Sequence, residues 1–206
     1  MSKQRVKTVP DLSLNSPLHQ EALSAGDEHF RRWQRNVVDK YKDKSEEEIK
    51  ADLQTTKLPC SILMSQIIGD FNFGTLIRVA NSFNVNKVYY YGNKRFDKRG
   101  CQGTYLYSDV VFLPLLEDIK RLKQDYIFVG LENNIKETIP LPYFQWDQRS
   151  MLVLGEEGVG IPQVILDLLD FKVEIPSRGS VRSLNVASAA SIALYDYYVK
   201  FQPPQF

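Results

Sequence analysis

A chain of 206 residues, 43% of them hydrophobic, can bury the core of one α/β domain plus a modest extension but is too short for two full catalytic domains. Its 26 Lys and Arg offset 25 Asp and Glu to a formal charge of +1, which excludes a whole-molecule field that draws it onto nucleic acid or anionic lipid and leaves any such attraction to local patches. Residues Met1 to Asp11 are polar and broken by Pro10, and no later apolar run approaches the roughly 18 residues of a membrane span, so the expectation is a soluble, cytoplasmic protein with no membrane partner.

The two cysteines, Cys60 and Cys101, stand far apart with no C-x-x-C spacing, which argues against a disulfide framework and against a thiolate metal site. Both histidines, His19 and His29, lie near the N-terminus, so the body of the chain has no imidazole for a base or a metal ligand, and no metal is expected.

In chain order, Phe30, Trp33, Val37 and Tyr41 fall at helical spacing with Arg31, Arg32, Arg35 and Lys42 on other faces, which predicts an amphipathic helix with a basic side. Ser45 followed by Glu48 matches a capping box for a second, short helix with Ile49 and Leu53 on its apolar edge. Pro59 restricts the residue before it, which sets a boundary between an extension over 1–57 and a main domain over 58–206. Past it, short apolar runs predict strands at Ser61 to Met64, Lys87 to Tyr91, Val110 to Leu113, Tyr126 to Gly130, Met151 to Leu154 and Phe171 to Ile175. Amphipathic segments between them predict helices at about Phe73 to Phe83, Leu115 to Gln124, Pro162 to Leu169 and Leu184 to Phe201. Such alternation signals an α/β fold, a mainly parallel sheet with helices on both faces.

Three segments carry candidate chemistry. In the first, Asn72-Phe73-Gly74-Thr75-Leu76-Ile77-Arg78, Asn72 suits an N-cap and Arg78 points away from the apolar stripe, beside Gly74 and Asn81. Gly74 costs the helix about 0.8–1 kcal/mol relative to Ala, which implies that something approaches that face closely. In the second, the strand end Leu152-Val153-Leu154 runs into Gly155, Gly158 and Gly160 before Pro162 opens a helix, a layout that exposes backbone groups to a ligand. The spacing is G-x-x-G-x-G, unlike the G-x-G-x-x-G of a nicotinamide-binding fold, which is the rival for this turn. In the third, Ile175 and Pro176 end a strand, a polar loop follows, and Ser183 or Asn185 can cap a helix whose first turns are almost all small residues.

Taken in this order and spacing, the segments resemble the SpoU-like (TrmH) branch of the SPOUT methyltransferases over about residues 60–200. That family shows N-x-G-x-x-x-R early, matched by Asn72, Gly74 and Arg78. It shows G-x-E-G-x-G later, matched by Gly155, Glu157, Gly158 and Gly160. Its I-P-x-x-G-x-x-x-S-L-N-V stretch is matched by Ile175, Pro176, Gly179, Ser183, Leu184, Asn185 and Val186. Ser177 replaces a frequent methionine of the family, and Asn84 stands where glycine is common, a position where Asn also tolerates the left-handed conformation.

The resemblance implies a C-terminal deep trefoil knot that binds S-adenosylmethionine, a homodimer, and methyl transfer to an RNA ribose 2′-hydroxyl, with tRNA favoured over rRNA. By matching positions, Gly155, Glu157, Gly158, Gly160, Ile175, Pro176, Ser183, Leu184 and Asn185 would surround the cofactor. Arg78, Asn72, Ser183 and Asn185 would serve catalysis. Arginine stays protonated far above neutral pH and is too costly to deprotonate to serve as a free base, so Arg78 is read as a clamp on a substrate phosphate and a polariser of the hydroxyl. Lys94, Arg95, Lys98 and Arg99 cluster around Asp97, with Tyr105 and Tyr107 following, and form a candidate RNA-binding surface, as does the basic side of the first helix through Arg31, Arg32 and Arg35. The alternatives are an rRNA 2′-O-methyltransferase and an RNA-binding protein that keeps the fold without turnover.

Overall fold

The computed structural model describes residues 36–67, 70–133, 135–156 and 158–201. The chain divides into two units, Met1–Lys44 and Ser45–Phe206. Most of the basic helix expected around Phe30, with Arg31, Arg32 and Arg35, lies outside the described residues. At its expected C-terminal end the chain bends and closes a 3-10 turn at Asp39–Tyr41 instead.

The second unit opens with the capping box: the Ser45 hydroxyl accepts the Glu48 N–H at 3.2 Å while the Glu48 carboxylate accepts the Ser45 N–H at 2.8 Å. This fixes the start of α1, Glu46–Gln54, whose Ile49 is buried. The strands, in chain order, are β1 Ser61–Ile67, β2 Val88–Gly92, β3 Val110–Leu113, β4 Ile127–Leu131, β5 Ile139–Pro140, β6 Ser150–Leu154 and β7 Phe171–Glu174. The other α-helices are α2 Asp70–Ser82, α3 Leu116–Leu122, α4 Gln163–Leu166 and α5 Val186–Phe201.

Among the described residues the strands form one seven-stranded sheet in the order β3-β2-β1-β6-β4-β7-β5, and each pairing between them is parallel. Six strands fall where the apolar runs place them. The seventh, β5, is an Ile-Pro pair too short to carry a pattern. Helix α2 starts at Asp70, so Asn72 sits inside its first turn and is not the cap that the sequence suggests.

Period-2 alternation sorts the strand residues between two cores. Ile62, Met64, Val88, Tyr90, Leu152 and Leu154 face a core that α2 and α5 close with Phe73, Leu76, Ile77, Ala190 and Leu194. Leu63, Tyr89, Phe128, Met151 and Val153 face the opposite core, closed by Ile119 of α3 and Ile165 of α4. Phe73, Leu76 and Ile77 are completely buried, and each such side chain contributes about 1.5–3 kcal/mol of burial free energy.

Two features shape the carboxyl edge of the sheet. Strand β4 lies between β6 and β7, with Leu131 in register with Leu154 on one side and Val173 on the other, so three carboxyl ends are level and their loops converge. Helix α5 then returns over the first core, where Ala187, Ala190 and Ala193 are buried and let it approach α2 closely. Trp146 Nε1 donates to Asp196 at 2.7 Å, and Lys200 Nζ donates to the carbonyls of Leu141 at 3.2 Å and Phe144 at 2.9 Å, which straps the segment before β6 to α5.

Candidate active site

In an open parallel sheet, ligands bind outside the carboxyl ends of the strands. Here the residues after β4, β6 and β7 enclose a cavity of about 350 Å³. Gly155, Gly158, Gly160, Ile175, Ser183 and Leu184, all expected at a cofactor site, line it together. Pro176 and Asn185 flank the lining stretches and do not line it, and Glu157 lies outside the described residues.

The glycines are there for steric reasons. A Cβ on Gly155 would stand 2.2 Å from the Gly160 carbonyl carbon and 2.4 Å from the Ile161 nitrogen, so the loop doubles back against bare backbone. Gly160 adopts φ +75°, a left-handed value, and a Cβ there would meet Glu132 Oε2 at 2.6 Å. The turn is held by the Gly160 N–H donating to the Glu156 carbonyl at 2.7 Å and by the Gly158 N–H donating to Glu156 Oε2 at 3.1 Å.

Where β4 and β7 end, the Asn133 side chain accepts the Ile175 N–H at 3.2 Å and donates to the Ile175 carbonyl at 3.3 Å, extending the β4–β7 pairing by one side-chain step. The sequence reading missed Glu132, Asn133 and Arg182 as lining residues. The first two were detectable as a polar pair directly after the apolar run Ile127–Leu131, at a strand's carboxyl end.

The first and third segments meet through one hydrogen bond: Asn185 Nδ2 donates to Asn72 Oδ1 at 3.0 Å, 113 residues away. Asn185 Oδ1 also accepts the N–H groups of Ala187 at 3.0 Å and Ser188 at 3.3 Å, so Asn185, and not Ser183, caps α5. Arg78 is exposed on α2 and makes no ion pair among the described residues. The Asn72–Asn185 bond does not involve its guanidinium.

What approaches Gly74 is the chain itself: a Cβ there would lie 2.8 Å from the Asp97 carbonyl oxygen and 3.0 Å from the Gly100 Cα. The loop so held is the one with the basic cluster. Lys94, Arg95, Lys98 and Tyr105 line an open groove of about 720 Å³, with Lys98 Nζ 4.5 Å from the centre of the Tyr105 ring. Arg99 turns instead to Asp97, with Nη2 to Oδ2 at 2.5 Å, and its hydrogen bonds hold the Asp97 carboxyl below the ordinary 3.8. Tyr107 lines a second, small pocket with Asn81 and Lys57, while Tyr105 lines the groove. No cluster of three or more metal-ligating side chains occurs among the described residues, and none of their helices is long and apolar enough to cross a membrane.

Comparison with known proteins adds the lineage. The family model described as the SpoU rRNA Methylase family matches residues 59–195. A Saccharomyces cerevisiae tRNA (guanosine(18)-2′-O)-methyltransferase is 33% identical over 81 residues, which is 39% of this chain and 6% of the yeast protein, so the chain spans a small fraction of that relative's length. The TrmH/SpoU tRNA modifying enzyme of A. aeolicus superposes with a TM-score of 0.66 at 20% identity, covering 75% of this chain and 81% of that one. The SpoU methyltransferase AviRb from Streptomyces viridochromogenes, solved in complex with the cofactor AdoMet, superposes with a TM-score of 0.58 at 23% identity, covering 66% and 55%. The shared sheet and the family match across the strands and the glycine turn make this chain a member of the SpoU rRNA Methylase family.

Proposed function

We propose that this chain is an S-adenosylmethionine-dependent RNA methyltransferase that modifies a ribose 2′-hydroxyl, in tRNA first and rRNA second. One observation carries the reading: the glycine turn after β6 and the Ser183–Leu184 stretch line one cavity, and Asn185 ties that cavity's rim to the first turn of the helix that bears Arg78.

The cavity fits the cofactor on its own terms. About 350 Å³ lies within the roughly 300–1,000 Å³ of small-molecule pockets. Glycine at 155 and 160 lets the loop double back, with the Gly160 N–H and C=O paired to Glu156, and this fold of bare backbone shapes the cavity wall. Gly155, Gly158 and Gly160 would hold the cofactor from one side, Ile175, Ser183 and Leu184 from the other. When bound, S-adenosylmethionine supplies an electrophilic methyl group on a sulfonium.

The chain's own residues supply orientation and charge. Arg78 clamps a substrate phosphate and polarises the 2′-hydroxyl, while Asn72 and Asn185 fix the start of α2 against the cofactor rim. Lys94, Arg95 and Lys98 grip the RNA backbone and Tyr105 offers a ring for a base. The substrate proton passes to an acceptor other than Arg78 and from there to solvent.

The C-terminal part is a deep trefoil knot; the placement of β6 between β1 and β4, and the strapping of α5 beneath Leu141–Trp146, support it. The active form is a homodimer, for which α5 offers an exposed apolar stripe of Ile192, Tyr195 and Val199 at helical spacing.

The test is incubation of the chain with labelled methyl donor and total RNA, followed by mapping of the product. Label on a ribose 2′-oxygen is the expected result; no transfer, or label on a base, refutes the proposal. Arg78→Lys keeps the charge and loses the planar fork, so turnover falls by about 10²-fold with cofactor affinity unchanged; near-normal turnover removes the clamp.

A further inference from the structure

Strand β4 is apolar from Ile127 to Leu131, and the chain then turns polar at Glu132, a half-buried carboxylate in the wall of the cavity. Backbone bonds anchor it at both oxygens: Oε1 accepts the Asn133 N–H at 3.0 Å and Oε2 accepts the Ile161 N–H at 3.4 Å. Gly160 keeps the carboxylate's place open, because a side chain there would collide with Oε2 at 2.6 Å. The other acid lining the cavity, Glu156, turns back to the Gly158 N–H of its own loop.

The cavity is also lined by the apolar side chains of Ile175, Leu184, Val186 and Ala189. The cavity therefore offers two chemistries, apolar surface suited to a flat base and a carboxylate beside Gly160. A carboxylate accepts hydrogen bonds only, through two oxygens with about four lone-pair directions, which suits the paired hydroxyl donors of a ribose. The same chemistry lets an acidic residue at a strand end read ribose hydroxyls in dinucleotide folds.

We propose that Glu132 is the residue that recognises the ribose hydroxyls of the nucleoside bound in this cavity. The inference rests on the cavity being the S-adenosylmethionine site, and it assigns selection of ribose over deoxyribose to one side chain. Glu132 acts in binding and touches no reacting atom.

Calorimetry on the full chain compares S-adenosylhomocysteine with its 2′-deoxyribose analogue. Wild type is expected to prefer the ribose form by roughly tenfold or more, as a charge-assisted hydrogen bond warrants. Glu132→Ala removes the preference by weakening the ribose form alone, and Glu132→Gln, with one acceptor oxygen left, keeps part of it. A wild type that binds both ligands equally overturns the assignment without needing any variant. So does a Glu132→Ala protein that loses both ligands in proportion, which would mark a merely structural role. Wild type that binds neither ligand overturns the cofactor reading and the assignment with it, so the two failures are told apart.

Discussion

Replacing Gly155 with Ala tests the steric core of the site. The added methyl would stand 2.2 Å from the Gly160 carbonyl carbon, and restoring an ordinary contact of ~3.4 Å requires the Gly160–Ile161 peptide to retreat by about 1.2 Å. That movement breaks the bridge in which Gly160 N–H donates to Glu156 at 2.7 Å and Glu156 N–H donates back at 3.3 Å. Overpacking costs about 1–3 kcal/mol and each of the two lost hydrogen bonds about 0.5–1.5 kcal/mol, so the variant loses roughly 2–6 kcal/mol of stability. For a chain of this size that is a fall in Tm of about 4–24 °C. The same retreat moves one wall of the cavity, so affinity for S-adenosylhomocysteine falls at least about tenfold in calorimetry. Gly179→Ala is the control, since nothing lies within 4 Å of the position its Cβ would take, and its Tm is not lowered. A Gly155→Ala protein with unaltered Tm and affinity would show that the loop does not double back as described.

Two further outcomes are expected elsewhere in the fold. Asn185→Ala removes the α5 cap and costs about 0.5–2 kcal/mol in urea denaturation, whereas Asn185→Asp keeps the cap and the stability but loses the amide that reaches Asn72, so methyl transfer alone declines; an unchanged urea midpoint for the alanine variant contradicts the capping role. Burial pushes the Cys60 thiol up to about 12 and the Cys101 thiol up to about 11 from the ordinary 9.0. The folded state therefore binds more protons than the unfolded state above about pH 9, and stability declines as pH rises from 9 to about 12, where Cys101 and then Cys60 ionise in the folded state, while the thiols contribute little slope below pH 9. Iodoacetamide labels both thiols at pH 8 only as fast as the protein opens, and labelling at the rate of a free thiol would contradict their burial.

Much of this architecture was legible in the sequence because parallel strands buried on both faces are written as continuous apolar runs, as in Met151–Leu154 and Ile127–Leu131. The glycine turn was legible for a similar reason: close backbone approach leaves only glycine as a solution at positions 155 and 160. What stayed hidden depends on contacts between distant parts of the chain. Gly74 announced a close neighbour without saying that it is the loop at Asp97–Cys101, and the Asn72–Asn185 bond spans 113 residues. Asn72 read as a helix cap because its type is common there, yet α2 begins at Asp70 and gives Asn72 a tertiary partner instead. Tyr105 and Tyr107 both follow the basic cluster in sequence, but Tyr105, inside the 3-10 turn at Thr104–Leu106, lines the groove and Tyr107, just after it, the small pocket. Glu132 and Asn133 stand out in the sequence as a polar pair after Ile127–Leu131, but their place beside the glycine turn depends on three strand ends being level.

The seating of the 97–101 loop on Gly74 has a mechanical consequence. Gly74 precedes Arg78 by about one helical turn, so the cationic groove and the guanidinium are mounted on the same rod with a separation fixed by the pitch of α2. Under the proposed function, a polynucleotide laid along that rod would meet two cationic stations at a set offset, and α2, tied near its start to the cavity rim through Asn72, would serve as a ruler for the substrate's backbone.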